Sequence, residues 1–133
     1  MSLHDTIRES LITKDFKKFN TLLKKDYRVY AIELPLFTLD GNKYADLVLE
    51  NQANEAITVV EFKSDTVDYG TAEQLQRYID VAHKQVHRSK DKLKGIIIGP
   101  DFSHFEIQMC KEFKLVPIQY DYNNGHMRIK HES

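Results

Sequence analysis

The sequence has a single cysteine, Cys110, so no disulfide can form within the chain. A chain without disulfides is typical of a reducing compartment. No apolar run approaches the roughly 20 residues that a membrane-spanning helix needs. The first residues also lack the basic and apolar blocks of a secretory signal. From these absences we expect a soluble, cytoplasmic protein without a membrane partner.

The sequence also lacks a strong charge of either sign, because its formal net charge at pH 7 is −1. It has no glycine-rich phosphate-binding loop, which argues against the use of ATP. Its cations are nevertheless concentrated in two stretches, which are either solvated helix faces or surfaces that meet phosphate groups. Charge alone favours the solvated faces. The two sets are Lys14, Lys17, Lys18, Lys24, Lys25 and Arg28, and Lys84, Arg88, Lys90, Lys92 and Lys94.

What the chain does contain is enough apolar sequence for one core. Its 133 residues are 41% hydrophobic and 29% charged, which is typical of a single compact domain spanning residues 1–133. Hydrophobic periodicity predicts the element order α-β-β-β-α-β-α-β-β. This order indicates an α/β fold in which helices flank a central mixed β-sheet.

Local signals predict where several elements begin and end. The amphipathic pattern of the first 23 residues predicts one helix, or two helices with a break near Thr13. Asp40-Gly41 and Asn124-Gly125 predict tight hairpin turns. A second amphipathic pattern predicts a long helix from about Thr71 to Lys90. Ser103 and Glu106 have the spacing of a capping box at the start of the last helix.

Asp46, Glu61 and Lys63 form the most informative group of polar residues. Glu61 and Lys63 end an apolar strand, whose alternation points both side chains to one face. Asp46 lies in the preceding strand, so a hairpin can set its carboxylate beside that of Glu61. Two carboxylates at such a short distance repel each other, and a hard divalent cation relieves the repulsion. Lys63 can then hold a phosphate oxygen or help to deprotonate a water.

The tripeptide Glu-Phe-Lys occurs twice, and the second copy serves as a control for the first. Glu112-Phe113-Lys114 stands near the end of the last predicted helix, with no apolar strand before it and no hairpin partner that supplies an aspartate. We interpret that copy as surface charge. The first copy gains its meaning from the order aspartate, turn, apolar strand, Glu-x-Lys, loop and helix.

The helix that follows the first copy adds Gln74 and Tyr78. These residues are four positions apart and therefore share one helix face, beside the apolar stripe. They could face the carboxylates across the end of the strand. The alternative is structural: Thr71 and Gln74 also fit a capping box, and Tyr78 could be an aromatic residue at the rim of the core.

Asp46, Glu61-Phe62-Lys63 and Gln74-x-x-x-Tyr78 together resemble the motifs of the PD-(D/E)XK nuclease superfamily. The surrounding sequence looks most like the nuclease domain of NucS/EndoMS-type enzymes, and the glutamine–tyrosine element is similar to that of RecB-like nucleases. The resemblance implies a restriction-endonuclease-like fold in which Asp46, Glu61 and the Phe62 carbonyl bind Mg²⁺ or Mn²⁺. It also implies that Lys63 assists catalysis and that Gln74 and Tyr78 support the site or contact DNA.

One further acidic ligand is expected upstream of the aspartate. Glu33 stands where NucS-like domains carry such a residue, whereas Glu9, on the first helix, stands where other branches supply it; we favour Glu33. The sequence departs from the superfamily pattern at Ala45, which replaces the proline before Asp46. The resemblance does not extend to the separate N-terminal DNA-binding domain of NucS-type enzymes, so mismatch specificity is not implied.

The sequence therefore predicts a metal-dependent DNA nuclease of a DNA-repair type, an endonuclease rather than an exonuclease. The alternative is a catalytically inactive nucleic-acid-binding module that kept the fold. Such a small domain would be expected to act as a homodimer or as a subunit of a larger complex. His83 and His87 could hold zinc at their i, i+4 spacing, but the sequence shows no third ligand, and a solvated helix surface is favoured.

Overall fold

The computed structural model describes residues 2–39, 41–123 and 126–132. The helices are α1 (Leu3–Ser10), α2 (Phe16–Leu23), α3 (Thr71–Gln85) and α4 (His104–Phe113). The strands are β1 (Tyr27–Thr38), β2 (Gly41–Asn51), β3 (Ile57–Phe62), β4 (Leu93–Gly99), β5 (Val116–Asn123) and β6 (His126–Glu132). None of the helices in this described part is long and apolar enough to cross a bilayer.

The strands form one six-stranded sheet in the order β1-β2-β3-β4-β5-β6. β1, β2 and β3 form an antiparallel meander, β3, β4 and β5 are parallel, and β6 is antiparallel to β5. The parallel connections pass through α3 and α4, because parallel neighbours need a crossover. The predicted element order and the mixed α/β architecture are therefore confirmed.

Two helical layers cover the sheet, and each layer buries its own apolar cluster. The apolar faces of α1 and α2 pack on one side, where Ile7, Leu11 and Phe19 are almost completely buried. α3 and α4 pack on the other side, where Leu75 and Cys110 are fully buried. All six residues of β3 are buried, which explains why this central strand is a nearly continuous apolar run.

The first helical segment is interrupted near Thr13, which is one of the two alternatives that the sequence left open. A π-helical turn, Leu11–Asp15, separates α1 from α2 and includes Thr13. The apolar positions of the two helices follow one another at steps of three, four or five residues. The wider π-helical turn lets all of them face the same side of the sheet. The break therefore keeps one continuous apolar face across two helices.

The predicted long helix is wrong at its C-terminal end, because α3 stops at Gln85 rather than near Lys90. The chain reverses at His87, whose φ is +56°. The reversal lets Arg88 bind the buried carboxylate of Glu50 and the main-chain carbonyl of Glu55. These long-range contacts end the helix, and neither glycine nor proline marks its end in the sequence.

The capping of α3 and α4 also differs from the prediction. Gly70, with a φ of +89°, is the N-cap of α3, so Thr71 does not form a capping box with Gln74. Ser103 does cap α4, since its hydroxyl accepts the Glu106 amide at 3.2 Å. The Glu106 side chain, however, turns to α3 and accepts the Ala72 amide at 2.9 Å. A buried carboxylate of one helix thus caps the other.

The predicted hairpin turns lie partly or wholly outside the described residues. Gly41 has a φ of +98°, the conformation for which glycine is suited, while Asp40 is outside the described part. The predicted turn at Asn124-Gly125 also lies outside it. β5 and β6 do pair as an antiparallel ladder on either side of this turn.

A close approach at Gly99 holds the loop that follows β3. A Cβ atom at this position would lie 2.3 Å from Cγ2 of Val67, a fully buried loop residue. Val67 is held there by main-chain hydrogen bonds to Asp101 and Ser103. Since this loop begins directly after Lys63, the packing at Gly99 fixes the path of the chain beside that side chain.

We predict that Gly99→Ala lowers the free energy of unfolding by about 1–3 kcal/mol, because the added methyl overpacks the loop. In a Val67→Ala background the same substitution should lower the free energy of unfolding much less, since the clashing methyl group is absent. Urea unfolding of the two single variants and the double variant measures this coupling. Equal costs in both backgrounds would contradict the prediction.

Candidate functional site

The β2–β3 hairpin brings the carboxylates of Asp46 and Glu61 together at the end of β3. Leu47 pairs with Val60 in the antiparallel ladder, which sets Asp46 beside Glu61. Oxygen atoms of these two carboxylates and a ring nitrogen of His4 all lie within 4.8 Å of one another. Within the described residues, this is the group of histidine, cysteine and acidic side chains with the spacing of a metal site.

His4 is a member of this group that the sequence reasoning missed. Its Nε2 lies 2.9 Å from Oδ2 of Asp46, and its ring packs edge-on against Phe62 with the ring centres 6.2 Å apart. The histidine stands in the first turn of α1, 42 residues before its partner. In the sequence, His4 could be noticed only by its i, i+4 spacing with Arg8 on an amphipathic helix. That spacing does not show which strand the histidine contacts.

The proton distribution in this group follows from the hydrogen bonds of Asp46. Its Oδ2 accepts the main-chain amide of Phe62 at 2.8 Å as well as His4. Burial by itself would raise the pKa of Asp46, but hydrogen bonds from three neighbours together hold it below its ordinary value. The hydrogen bond to Asp46 in turn raises the pKa of His4, although partial burial opposes this. The pair is therefore an aspartate with a histidine that tends to be protonated.

Glu61 has the opposite tendency. Burial, followed by the hydrogen bond and the charge of Asp46, raises the pKa of Glu61 to about 10. Without a cation, Glu61 keeps its proton at neutral pH and donates it to Asp46. A divalent cation would replace that proton, since a metal ion binds deprotonated carboxylates. Two adjoining carboxylates and an imidazole are ligands for Mn²⁺ and, because of the nitrogen donor, weaker ligands for Mg²⁺. The residues present thus fit a metal of this class.

Lys63 follows Glu61 by two residues and is held by its main chain. Its amide donates to the carbonyl of Ile98 at 2.8 Å, and its carbonyl accepts the hydroxyl of Tyr120 at 3.0 Å. The ammonium group is partly exposed, and its charge lowers the pKa of Glu61 against the larger effect of burial. A fixed backbone with a partly exposed cation suits the binding of a phosphate oxygen.

Gln74 and Tyr78 share one face of α3, as their spacing predicts. Both line a groove of about 330 Å³ between α3 and the tip of the β1–β2 hairpin. Burial is the main cause that raises the pKa of Tyr78, and the charges of Glu61 and Asp46 add to it. Their roles at the site stay predictions.

The two candidates for a further acidic ligand lie outside the His4 group. Glu33 is 57% exposed and pairs with Arg8, with Nη1 and Oε1 3.2 Å apart. Glu9 is exposed on α1, the helix that places His4 rather than an acid at the site. Neither acid contributes an atom to the group within 4.8 Å. The metal-binding roles of Glu33 and Phe62 remain predictions.

The other polar motifs have structural explanations. The second Glu-Phe-Lys copy ends α4, where Glu112 is exposed and Lys114 is the left-handed C-cap. Nδ1 of His83 donates to the carbonyl of Arg88, and His87 is exposed, so in the described chain these histidines do not join a metal-binding group. Of the second cationic stretch, Lys90 pairs with Asp80.

The sequence of this chain matches a known protein family. A sequence model named MJECL32 domain matches residues 7–116, which is most of the chain. The chain belongs to the MJECL32 domain family. The matched range includes the two carboxylates, Lys63, Gln74 and Tyr78, whereas His4 precedes it. No curated protein sequence matches this MJECL32 domain.

Solved structures similar to this MJECL32 domain include a repair endonuclease from Pyrococcus abyssi, with a TM-score of 0.65, 16% identity and 86% of this chain covered. EndoMS in its apo form has a TM-score of 0.65, 14% identity and 93% coverage of this chain. An EndoMS–dsDNA2 complex has a TM-score of 0.62, 15% identity and 86% coverage. The similarity at these identities shows a shared fold. The chain spans 46%, 48% and 44% of those chains, respectively.

We predict that Glu61→Gln stabilises the metal-free protein at neutral and alkaline pH. The pKa of Glu61 is 4.5 when unfolded and about 10 when folded, so the wild type loses stability as the pH rises between these values. Glutamine does not titrate, so near pH 8 the free energy of unfolding of the variant should exceed that of the wild type by on the order of 1–3 kcal/mol. Urea unfolding in EDTA from about pH 5 to about pH 9 measures the difference.

Glu112→Gln is the matched control, since that glutamate is exposed on α4. Its effect on unfolding should be small at every pH. If the two glutamines gave the same pH profile, the assignment of a protonated, buried Glu61 would be wrong.

Proposed function

We propose that this MJECL32 domain is a metal-dependent deoxyribonuclease that hydrolyses phosphodiester bonds, as an endonuclease. The observation that carries the proposal is the convergence of His4, Asp46 and Glu61 within 4.8 Å, with Lys63 immediately after them. Because a pair of neighbouring carboxylates with a cationic side chain suits phosphoryl chemistry, the group is better explained by catalysis than by stability. The nuclease-like fold supports the same reading.

Three side chains would hold the cation, and the Phe62 carbonyl is the expected fourth donor. A cation there would neutralise charge that develops at phosphorus and make a nearby water more acidic. The imidazole of His4 favours Mn²⁺ over Mg²⁺, since Mg²⁺ prefers oxygen donors. Loading the site requires the loss of the proton that Glu61 and Asp46 share, so metal affinity should rise with pH.

The remaining residues would act on the nucleic-acid strand. The Lys63 ammonium can donate to a non-bridging phosphate oxygen, and the fixed main chain on both sides of it limits its movement. Gln74 and Tyr78 can donate from the groove to the sugar or to neighbouring phosphates. The exposed lysines of α2 supply long-range attraction for a polyanion, which the net charge of the chain conceals.

DNA is the substrate class that the similarities favour, since the structural neighbours include a repair endonuclease and an EndoMS–dsDNA2 complex. The chain spans less than half of those neighbours. A second copy of this chain or a larger complex would supply further surfaces that select the DNA.

We expect cleavage of plasmid or linear duplex DNA in Mn²⁺ or Mg²⁺ and none in EDTA. Glu61→Gln and Lys63→Met should each lower the rate by at least about a hundredfold, because Glu61 would hold the cation and Lys63 would bind the reacting phosphate. Glu112→Gln and Lys114→Met are matched controls, since they alter the same tripeptide outside the site and should cleave like the wild type. Gel assays and single-turnover rates measure the effects.

Two outcomes would contradict this proposal. If the site variants and the controls cleaved equally, the activity would not arise at this group. If the wild type bound DNA but cut no substrate with any divalent metal, the chain would be a nucleic-acid-binding module instead.

We also expect His4→Ala to weaken Mn²⁺ binding by about tenfold, or roughly 1.4 kcal/mol, and Mg²⁺ binding less. The reason is that the imidazole contributes more to a transition-metal site than to an oxygen-preferring one. Isothermal titration without DNA measures both affinities. His104→Ala, which changes an exposed histidine at the start of α4, is the control; equal losses for both metals would remove His4 from the ligand set.

A further inference from the structure

Arg8 is a buried cation beside the candidate metal site. It follows His4 by one helical turn on the same face of α1, and its side chain is only 10% exposed. The helix that brings the imidazole to Asp46 therefore also brings a guanidinium group to the neighbouring position. The sequence reasoning did not single out this residue.

The guanidinium group is only partly satisfied by its neighbours. Nη1 donates to Oε1 of Glu33 at 3.2 Å, and Nη2 lies 3.5 Å from Oδ1 of Asp5. Nε is buried and has no hydrogen-bond partner in the described chain. A buried donor without a partner is costly, and a guanidinium group with an open N–H is well suited to an oxyanion.

Glu33 occupies one side of this guanidinium group and faces the metal site across the hairpin. The pairs Ile32–Leu47 and Leu34–Ala45 flank it in the β1–β2 ladder, which sets Glu33 opposite Asp46. Its backbone has a φ of +53°, a strained conformation for a glutamate within a strand. Its carboxylate is 57% exposed, so an incoming anion can reach and replace it.

We propose that Arg8 is a substrate-binding residue that takes a phosphate oxygen of the nucleic-acid strand. In the free protein the Glu33 carboxylate stands in for that phosphate, and it leaves when the strand binds. The planar fork of arginine can bind a carboxylate and a phosphate with the same geometry, which makes the exchange possible. This inference rests on the proposed nuclease function, and it gives the strand a second cationic contact besides Lys63.

The alternative is a purely structural ion pair that fastens α1 to β1. In that case, loss of either partner would weaken the protein and its DNA binding in the same direction. A substrate-binding arginine behaves differently, because its removal weakens DNA binding while removal of Glu33 takes away a competitor. The two single variants therefore separate the two explanations.

The experiment measures binding of a fluorescent duplex oligonucleotide, in EDTA, across a series of salt concentrations. Arg8→Gln should bind about tenfold more weakly, and the slope of log affinity against log salt should fall by about 0.9, the value of one phosphate contact. Glu33→Gln should bind as tightly as the wild type or more tightly. Lys111→Gln, which removes an exposed cation on α4, should change the affinity less than about twofold.

Methylphosphonate scanning supplies an independent readout, because each protein is compared with itself from one phosphate position to the next. In this scan, an uncharged methylphosphonate replaces one phosphate at a time. At one position, the replacement should weaken binding by the wild type and by Glu33→Gln, and it should weaken binding by Arg8→Gln and Arg8→Lys less. This scan decides the matter even where Arg8→Gln folds poorly. Without such a position, or with equal losses for Arg8→Gln and Glu33→Gln, the inference is overturned.

Failure of this inference can be told apart from failure of the proposed function. If the wild type cleaves DNA at Glu61 and Lys63 but Arg8→Gln binds normally, only the role of Arg8 is wrong. If no divalent metal supports cleavage, the nuclease proposal fails, and the binding series still decides whether Arg8 contacts phosphate.

Discussion

The carboxylate of Asp46 is the point on which the arrangement of this domain depends. One of its oxygens accepts both the amide of Phe62 and the imidazole of His4, so it connects β2, β3 and the start of α1. The neighbouring Glu61 can be tolerated beside it because Glu61 keeps a proton. Two adjoining acids thus coexist with one negative charge, and the hydrogen bond to that charge raises the pKa of His4.

Other buried carboxylates of the fold have different partners. Glu50 binds Arg28 and Arg88, so its charge is neutralised by permanent cations. Glu106 accepts the amide of Ala72 at the N-terminus of α3. At the Asp46–Glu61 pair, charge is balanced by protons on titratable groups, and protons can be exchanged for a metal ion. This contrast in how charge is balanced explains why we assign function to that pair and structure to the others.

The sequence predicted the elements well where a repeating pattern decides them. The apolar run of β3, the stripe of α3 and the interruption near Thr13 all follow from which residues must be buried, and the structure confirms them. The errors occur where distant contacts decide. α3 ends early because Arg88 must reach Glu50, and its N-terminus is capped from α4 rather than by a local side chain.

The sequence by itself determined the order of the elements and the hairpin, and therefore the meeting of Asp46 with Glu61, because neighbouring strands joined by a short turn can pair in few ways. Only the tertiary structure decided that His4 and Arg8 join that hairpin. α1 docks by non-directional apolar packing, and its 3.6-residue period shows which face is buried but not which strand end it meets. Site residues from a single hairpin can thus be read along the chain, whereas those supplied by a docked helix require the fold.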